Sequence, residues 1–525
     1  MRNPVKLAVL LCTLPVAAQA ATVLEGRAIA EKPFADAKVT IIDSTGKQLD
    51  TMTDSTGHYR IDIDSLSPPL TLSVMDNGES ADCLNSDIRR ARCMASLLVD
   101  VQDDAINTAN ITPFSDRIVA EVAGELGYVG PQQWVERGDP SELNAQLLDE
   151  PLANFQQGMA GALSELAMPV DVDPVRTPIQ AGDGMTQLLS VINHNRGYHN
   201  DSGEAGSTIL TDSAFRPIVG LQNHGPWEPF DLQRALRDKE AITEAQTRIL
   251  IVSDSTAATY EVSRLPRMGW GQVFHEQFQP ESGVVILNGA RAGRSSRDFY
   301  NEGWYQQMAQ YLEPGDYVLI AHGHNDQNCN SEKPVRGAAD VRNLCTYPND
   351  AEGNPQYPEG RPEMSFQHSL ERYITLARDN DAIPVLLTPT TRVKNEAGKT
   401  AFVNGPDDRV VSSHFTRDRE GYLFSGDYVA TIKQTASDNQ VPLIDLEDET
   451  IAFANAHADD WMDYWLAVDA EDPRYPWYHT QTAGIRTNPD TTHFQQRGAE
   501  AVASIVAEQI QQTPELSTLA ARLKP

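Results

Sequence analysis

The sequence has few basic residues, few cysteines and, after its first twenty positions, no long apolar run. Its 525 residues include 42 Lys and Arg against 74 Asp and Glu, a formal net charge of −32. A field of that sign repels phosphate groups, which argues against nucleic acid and anionic membrane surfaces as partners. No segment beyond the N-terminus approaches about 18 consecutive apolar residues, so no membrane anchor is predicted. The hydrophobic residues, 40% of the total, exclude a wholly disordered chain and are sufficient for a large core.

The one apolar run at the N-terminus is short. Arg2 and Lys6 precede the run Leu7–Leu11, and Ala18-Gln19-Ala20 follows as a small-x-small cleavage signal. This pattern predicts a signal peptide over residues 1–20 that is cleaved near Ala20. The product is then expected to be exported, either secreted or periplasmic.

Four cysteines remain after the predicted signal peptide, in two local pairs: Cys83 with Cys93, and Cys329 with Cys345. An exported chain meets oxidising conditions, which favour disulfides. Three connectivities are possible in principle, and proximity favours 83–93 and 329–345. No C-x-x-C occurs and no His accompanies either pair at zinc-ligand spacing, so no metal site is predicted at the cysteines.

Residues 22–105 are predicted to form a small all-β module. Tyr59, Ile61 and Ile63 alternate with polar residues, which is typical of a half-buried strand. The stretch 53–61 resembles the hairpin of carboxypeptidase-regulatory-like β-sandwich modules. That resemblance implies a spacer or a weak carbohydrate-facing role.

The next two segments are harder to interpret. Residues 106–178 are predicted to be helical, because one face at helical spacing carries Ile118, Val119, Val122 and Leu126. Residues 179–246 contain no pattern that assigns a structure, and they are treated as a connecting region.

From residue 247 to 515 the pattern changes to short apolar runs that alternate with amphipathic helices. Continuous apolar runs are typical of strands buried on both faces of a parallel sheet. Their alternation with helices predicts an open α/β sheet with helices on both sides, whose ligands bind beyond the carboxyl ends of the strands. The five runs are 249–252, 284–287, 317–320, 385–387 and 443–444.

The residues that follow these runs carry the chemistry of acyl transfer. A serine at a strand-to-helix turn, here Ser255, can present its hydroxyl above the sheet. His493 can take its proton, and Asp490 can hold the imidazole tautomer. The Asn325 side chain and the backbone N–H groups of Gly293 and Ser255 can donate to a developing oxyanion. No G-x-S-x-G occurs, so the usual α/β-hydrolase elbow is absent.

In these blocks the sequence resembles the SGNH (GDSL-type) hydrolases, and more closely the rhamnogalacturonan acetylesterase branch, which belongs to carbohydrate esterase family 12. The matching blocks are Ser253-Asp254-Ser255-Thr256, Ala292-Gly293-Arg294-Ser295-Ser296, Gly323-His324-Asn325-Asp326 and Asp490-Thr491-Thr492-His493-Phe494. The resemblance implies a three-layer, flavodoxin-like hydrolase domain with Ser255, His493 and Asp490 as the triad. It also implies an oxyanion hole formed by Ser255, Gly293 and Asn325. One departure is Ser253, where the family usually has glycine.

The resemblance further implies a serine esterase that removes acetyl groups from pectic polysaccharide, rhamnogalacturonan or pectin, without a cofactor. Arg294, Arg297 and His324 are the predicted substrate contacts. An acetylxylan esterase and an SGNH lipase or lysophospholipase are alternatives of the same chemistry. A non-catalytic carbohydrate-binding or adhesion protein is the alternative of another class, and the oligomeric state is left open.

Overall fold

A computed structural model describes residues 21–76, 92–198, 205–220, 227–327, 345–347, 349–354, 356–357, 362, 365–405, 408–415 and 426–525. The predicted signal peptide, Cys83 and Cys329 lie outside the described residues. Cys93 and Cys345 are buried side chains. The two disulfide pairings and the cleavage site therefore stay predictions.

Seven strands form two sheets at the N-terminal end of the described chain. The strands are β1 (Val23–Arg27), β2 (Lys38–Asp43), β3 (Gln48–Met52), β4 (His58–Asp62), β5 (Leu70–Met75), β6 (Cys93–Leu98) and β7 (Ile106–Thr108). One sheet has the order β3-β2-β5-β6 and the other has the order β4-β1-β7. Buried side chains from both sheets share one core, to which Leu24, Val39, Tyr59 and Leu72 belong. An all-β region is thus present where it was predicted, and its carboxypeptidase-regulatory-like character stays a prediction.

The predicted boundary at residue 105 was placed too early. β7 lies inside the segment 106–178 that was predicted to be helical, and it pairs in parallel with β1. A strand of three residues is too short to produce a period-2 pattern, which explains the error. The helices begin at Pro113, after the N-cap Thr112, whose hydroxyl accepts a hydrogen bond from the Ser115 amide.

The segment that could not be assigned contains regular structure. The elements between the β region and the α/β sheet are α1 (Pro113–Glu125), α2 (Pro131–Arg137), α3 (Gln146–Glu165), α4 (Gly184–Leu189), β8 (Ile192–Tyr198), β9 (Ala205–Asp212) and α5 (Leu232–Glu244). β8 and β9 form an antiparallel hairpin. The hairpin shares a core with α1, α3 and α4, so the segments predicted as 106–178 and 179–246 pack together.

One buried carboxylate joins the β region, α1 and the hairpin. Asp116 accepts hydrogen bonds from the Ala95 amide at 2.7 Å and from Arg196 Nη2 at 2.5 Å. Its second oxygen lies 2.8 Å from His194 Nε2 and accepts from Thr208 Oγ1 at 2.7 Å. Since Asp116 is fully buried, these partners are what makes its charge tolerable there.

The remaining strands form the predicted parallel sheet, and the remaining α-helices accompany it. They are β10 (Thr247–Ser253), α6 (Trp270–Val273), β11 (Val284–Asn288), α7 (Ser296–Asn301), α8 (Trp304–Ala309), β12 (Tyr317–Ala321), α9 (Phe366–Asp379), β13 (Ile383–Leu387), α10 (Tyr428–Asn439), β14 (Leu443–Ile444), α11 (Leu446–Ala456), α12 (Gln496–Gln512) and α13 (Ser517–Ala520). All five predicted runs are strands, and their order is β11-β10-β12-β13-β14. Every neighbouring pair is parallel. Counted from β10, this is the order 2-1-3-4-5 of flavodoxin-like folds, as the resemblance implied.

The sheet is covered on both faces, which gives three layers. Ile249 and Ile251 of β10 face one core, which contains residues of α6, α11 and α12. The alternate residues Leu250 and Val252 face a second core, which contains residues of α8, α9 and α10. Burial on both faces explains why the strand is a continuous apolar run. None of the helices in the described ranges is both long and apolar enough to cross a membrane.

Candidate active site

Three of the four sequence blocks follow three adjacent strands of the sheet. Ser255 comes after β10, Gly293 after β11 and Asn325 after β12. Because β10 lies between β11 and β12 in a parallel sheet, the carboxyl ends of these strands meet at one edge. The strand order reverses at β10, and such a switch point opens a crevice above the sheet.

A continuous hydrogen-bond chain connects the three predicted triad residues. His493 Nε2 lies 2.9 Å from Ser255 Oγ, and His493 Nδ1 lies 2.6 Å from Asp490 Oδ2. The serine and histidine are 238 positions apart in the sequence. With the proton on Nδ1, the imidazole donates to the carboxylate and leaves Nε2 as an acceptor for the serine proton. The geometry is that of a nucleophile, a base and a group that orients the base.

The turn before α12 holds the aspartate and the histidine in place. Asp490 Oδ1 accepts from the amides of Thr492 and His493, at 2.8 and 3.1 Å, which leaves Oδ2 for the imidazole. The backbone on either side bonds to a neighbouring segment, because the Asp490 amide donates to the Leu466 carbonyl and the Leu466 amide donates to the His493 carbonyl. This double contact fixes the distance between the turn and the segment that contains Leu466.

The first block is anchored by its two residues that precede the serine. Ser253 is fully buried, and its hydroxyl donates to the carbonyl of Ala321 at the end of β12, at 2.6 Å. This departure from the family's glycine therefore adds a tie between neighbouring strands. Asp254 Oδ1 accepts from the amide and the hydroxyl of Thr256, and burial raises the pKa of Asp254 to about 6.

Two of the predicted oxyanion residues, Gly293 and Asn325, lie on loops that are joined to each other. Gly293 has φ +76°, a left-handed conformation that favours glycine. The Asn325 side-chain amide donates to the carbonyl of Arg294, the residue after Gly293, at 3.2 Å. Asp326 accepts from the amide and hydroxyl of Ser296, at 3.0 and 2.8 Å, and burial raises the pKa of Asp326 to about 7. The second and third blocks thus support one another.

We expect Asn325→Ala to lower kcat for p-nitrophenyl acetate by roughly 100- to 1000-fold, as for the loss of one oxyanion donor. Asn325→Asp keeps the shape but places a negative charge near the oxyanion, so we expect at least the same loss. Initial rates at saturating ester, with thermal unfolding to check folding, measure both. An Asn325→Asp variant with near wild-type kcat would show that Asn325 is not an oxyanion donor.

The electrostatics of the triad suit a neutral base beside an ionised acid. Burial raises the pKa of Asp490, but hydrogen bonds from the His493 ring and from backbone amides outweigh burial and leave the pKa below its usual range. Burial lowers the pKa of His493, and repulsion by the positive charge of Arg267 lowers it further. Attraction by Asp490 opposes these effects without cancelling them. His493 is therefore neutral at pH 7 and can accept a proton.

This pKa predicts the acid side of the pH profile. Because the base must be unprotonated, kcat/KM should fall on the acid side with a midpoint below 6.5, the ordinary imidazole value. Arg267→Gln removes a repelling charge, so its midpoint should move upward relative to wild type. Turnover of p-nitrophenyl acetate between about pH 4 and 8 measures both midpoints. A wild-type midpoint clearly above 6.5 would contradict the prediction.

The predicted substrate contacts Arg294 and Arg297 are interior side chains. Arg294 Nε lies 3.0 Å from both carboxylate oxygens of Glu302, which also accepts from Trp304 Nε1. Arg297 is only 3% exposed. This burial argues against direct contact of either arginine with a polysaccharide. The sequence could not indicate that Arg294 is buried and paired, because its partner Glu302 is one of many acidic residues.

The second block also contacts the hairpin region that had no assigned role. Arg291 Nη2 donates to the Phe215 carbonyl at 2.8 Å, just after β9. An ideal Cβ on Gly197 of β8 would lie 2.5 Å from Arg294 Nη2, so a larger residue there would have to displace the end of the Arg294 side chain. The loop that contains Gly293 is thus supported from outside the α/β sheet by the segment 179–246.

His324, the third predicted substrate contact, belongs to a buried chain of polar side chains. Its Nε2 lies 3.2 Å from Thr390 Oγ1, and its Nδ1 lies 3.3 Å from His414 Nε2. His414 Nδ1 in turn lies 2.6 Å from Glu447 Oε1. With both ring nitrogens occupied, His324 is suited to holding the loop of Asn325 rather than a substrate. His414 and Glu447 were missed because neither lies in a recognisable motif.

Two arginines near the triad were also missed. Arg392, after β13, donates to Gln327 Oε1 at 2.8 Å and to the His324 carbonyl at 3.3 Å, so it ties β13 to the third block. Arg267 lies on the loop before α6, with its guanidinium carbon 4.5 Å from the centre of the Tyr260 ring. Neither arginine follows an apolar run directly, which was the only signal available in the sequence. In the described ranges, no three His, Cys, Asp or Glu side chains are grouped as a metal site would require.

Comparison with known proteins agrees with this geometry. Residues 249–506 match the family described as GDSL-like lipase/acylhydrolase. Rhamnogalacturonan acetylesterase RhgT of Bacillus subtilis is 30% identical over 268 residues, which cover 50% of this chain and 90% of the relative. A rhamnogalacturonan acetylesterase of Emericella nidulans is 30% identical over 194 residues, which cover 36% of this chain and 70% of the relative.

Proposed function

Since this chain belongs to the GDSL-like lipase/acylhydrolase family, and is therefore a serine-type ester hydrolase, we propose that it removes acetyl groups from pectic polysaccharide. The observation that carries the proposal is the hydrogen-bond chain from Ser255 through His493 to Asp490. The relatives named rhamnogalacturonan acetylesterases support acetyl as the acyl group that is removed and rhamnogalacturonan as the polymer. The sequence pattern of residues 1–20 supports export of the protein.

The mechanism proceeds in two halves through an acetyl-enzyme. Ser255 Oγ attacks the acetyl carbonyl carbon while His493 Nε2 takes its proton, and Asp490 stabilises the imidazolium that forms. The carbonyl oxygen gains a negative charge, to which the Ser255 and Gly293 amides and the Asn325 side chain can donate. As the tetrahedral intermediate collapses, His493 returns the proton to the sugar oxygen, and the sugar hydroxyl leaves.

Water completes the cycle. His493, neutral again, takes a proton from a water molecule that attacks the acetyl carbonyl of the acylated Ser255. The second tetrahedral intermediate releases acetic acid, which ionises to acetate in the solvent, and His493 returns its proton to Ser255 Oγ. His493 carries the transferred proton in both halves, and the steps need no cofactor.

Measuring acetate release from several polymers tests the choice of substrate separately from the esterase activity. We expect the highest kcat/KM on acetylated rhamnogalacturonan, a lower value on acetylated homogalacturonan, and the lowest on acetylated xylan. Acetate is quantified after incubation of each polymer with wild-type protein and with Ser255→Ala as the blank. A preference for xylan would reject the pectic substrate and leave the esterase intact, whereas no acetate from any polymer would reject the polysaccharide.

A further inference from the structure

Arg267, an arginine beside the triad, has no acidic partner among the described residues although the protein is strongly acidic. The formal net charge is −32, and the interior arginines Arg248 and Arg294 are both paired with carboxylates. In the described part of the chain, Arg267 takes part in no ion pair, and its Nε has no hydrogen-bond partner. Its side chain is partly exposed. A partly exposed guanidinium that contacts Tyr260 but pairs with no described carboxylate keeps its charge available to an external anion.

The fold attaches this arginine to both the nucleophile and the base. The backbone of Arg267 forms a β-bridge with Gln495, two residues after His493. The guanidinium lies over the Tyr260 ring, and the Tyr260 hydroxyl donates to the Ser255 carbonyl at 2.7 Å. The charge is therefore held at a fixed place relative to the reacting ester, as a specificity residue must be.

The region around Arg267 contains aromatic side chains, of which Trp477 is partly exposed and Tyr260 and Tyr478 are buried. Tyr478 donates through its hydroxyl to the Arg264 carbonyl at 2.9 Å, and the Arg264 guanidinium lies 4.5 Å from the centre of the Trp477 ring. We call the group Tyr260, Arg264, Arg267, Trp477 and Tyr478 the arginine–aromatic rim. Aromatic side chains with a few well-placed polar groups are typical of small-molecule sites. A guanidinium matches the two oxygens of a carboxylate.

We propose that Arg267 recognises a uronate carboxylate of the acetylated glycan, and so selects anionic over neutral acetylated glycans. This inference rests on the proposed function, because pectic polymers supply both the uronate and the acetyl ester. It also replaces Arg294 and Arg297, which the sequence suggested as the local positive charge, with a residue that is accessible.

The test removes the negative charge of the substrate and the positive charge of Arg267 in separate steps. Acetylated rhamnogalacturonan oligosaccharides are compared with the same oligosaccharides after methyl esterification of their carboxyl groups. kcat/KM is measured at pH 8, where His493 is unprotonated in every variant. We expect Arg267→Gln to lower kcat/KM on the free acid by roughly 10- to 100-fold, and by a much smaller factor on the methyl ester. Arg267→Lys keeps the positive charge but lacks the paired N–H donors of the guanidinium. It should therefore recover part of the lost kcat/KM on the free acid.

Controls separate this inference from the proposed function. Arg237→Gln, on the exposed face of α5, should leave the ratio of the two kcat/KM values as in wild type. If wild-type protein releases no acetate from either oligosaccharide yet hydrolyses p-nitrophenyl acetate, the proposed function fails and this inference fails with it. If wild-type protein hydrolyses both and Arg267→Gln loses equally on both, Arg267 is a positioning residue and only the uronate inference is overturned.

Discussion

Replacing Ser255 with alanine should lower kcat for p-nitrophenyl acetate by on the order of 10⁴-fold or more. The variant lacks the oxygen that forms the acetyl-enzyme and that lies 2.9 Å from His493 Nε2. What remains is the stabilisation by the oxyanion donors and by binding alone. Burst-phase and steady-state release of p-nitrophenolate measure the loss.

Two controls make this result specific to Ser255. Ser517→Ala, at the exposed start of α13, makes the same chemical change far from the triad and should keep wild-type kcat. A serine-directed phosphonate should inactivate wild-type protein and leave the Ser255→Ala variant unlabelled. If Ser255→Ala retained more than about a tenth of wild-type kcat, the nucleophile would be another group.

The same argument predicts non-additive losses. Because Ser255 and His493 act as one unit, His493→Ala should cost about as much as Ser255→Ala, and the double variant little more than either. Multiplicative losses in the double variant would mean that the two residues contribute independently. That outcome is incompatible with proton transfer between Ser255 Oγ and His493 Nε2.

The strands and the triad were predictable because each depends on local sequence. Burial on both faces makes β10 and β12 continuous apolar runs, and the parallel sheet places polar residues such as Ser255 and Asn325 at one edge. The pairing of Asp490 with His493 across three positions is also local. Ser255 and His493 lie 238 positions apart, and only the resemblance to a known family predicted that they pair.

The contacts that hold the site together were not predictable, because they join residues with no common pattern. Glu447 lies on α11 and His414 on a loop, yet their side chains meet at 2.6 Å and continue to His324. Arg294 looked like a substrate contact only because it neighbours Gly293. Its partner Glu302 lies eight positions away, which is beyond the i,i+3 and i,i+4 spacings at which side chains of one helix pair directly.

The N-terminal half shows a further limit of sequence reasoning. Asp116 connects β6, β8 and β9, and none of its partners is close to it in the sequence. Through this connection the hairpin is held where Gly197 meets Arg294 and the Phe215 carbonyl meets Arg291. The segment that was hardest to interpret therefore supports the loop of Gly293, which ties the N-terminal half to the chemistry at the edge of the α/β sheet.

Asp490→Asn should lower kcat by about 10⁴-fold while leaving the fold intact. Asp490 Oδ1 accepts from two backbone amides, so the carbonyl oxygen of the new carboxamide must take that place. Its NH₂ group then faces His493 Nδ1, which has to accept instead of donate. The imidazole proton moves to Nε2, and the ring can no longer take the Ser255 proton.

Measurements of tautomer and rate together test this reasoning for Asp490→Asn. Nitrogen chemical shifts of the His493 ring should place the proton on Nδ1 in wild-type protein and on Nε2 in the variant. Asp459→Asn, an exposed carboxylate away from the triad, is the matched control and should change neither shift nor kcat. A variant with the Nε2 tautomer but near wild-type kcat would show that Nε2 of His493 does not act as the base. A variant with the Nδ1 tautomer and a 10⁴-fold loss would instead assign the loss to the missing negative charge, because the orientation of the ring would be unchanged.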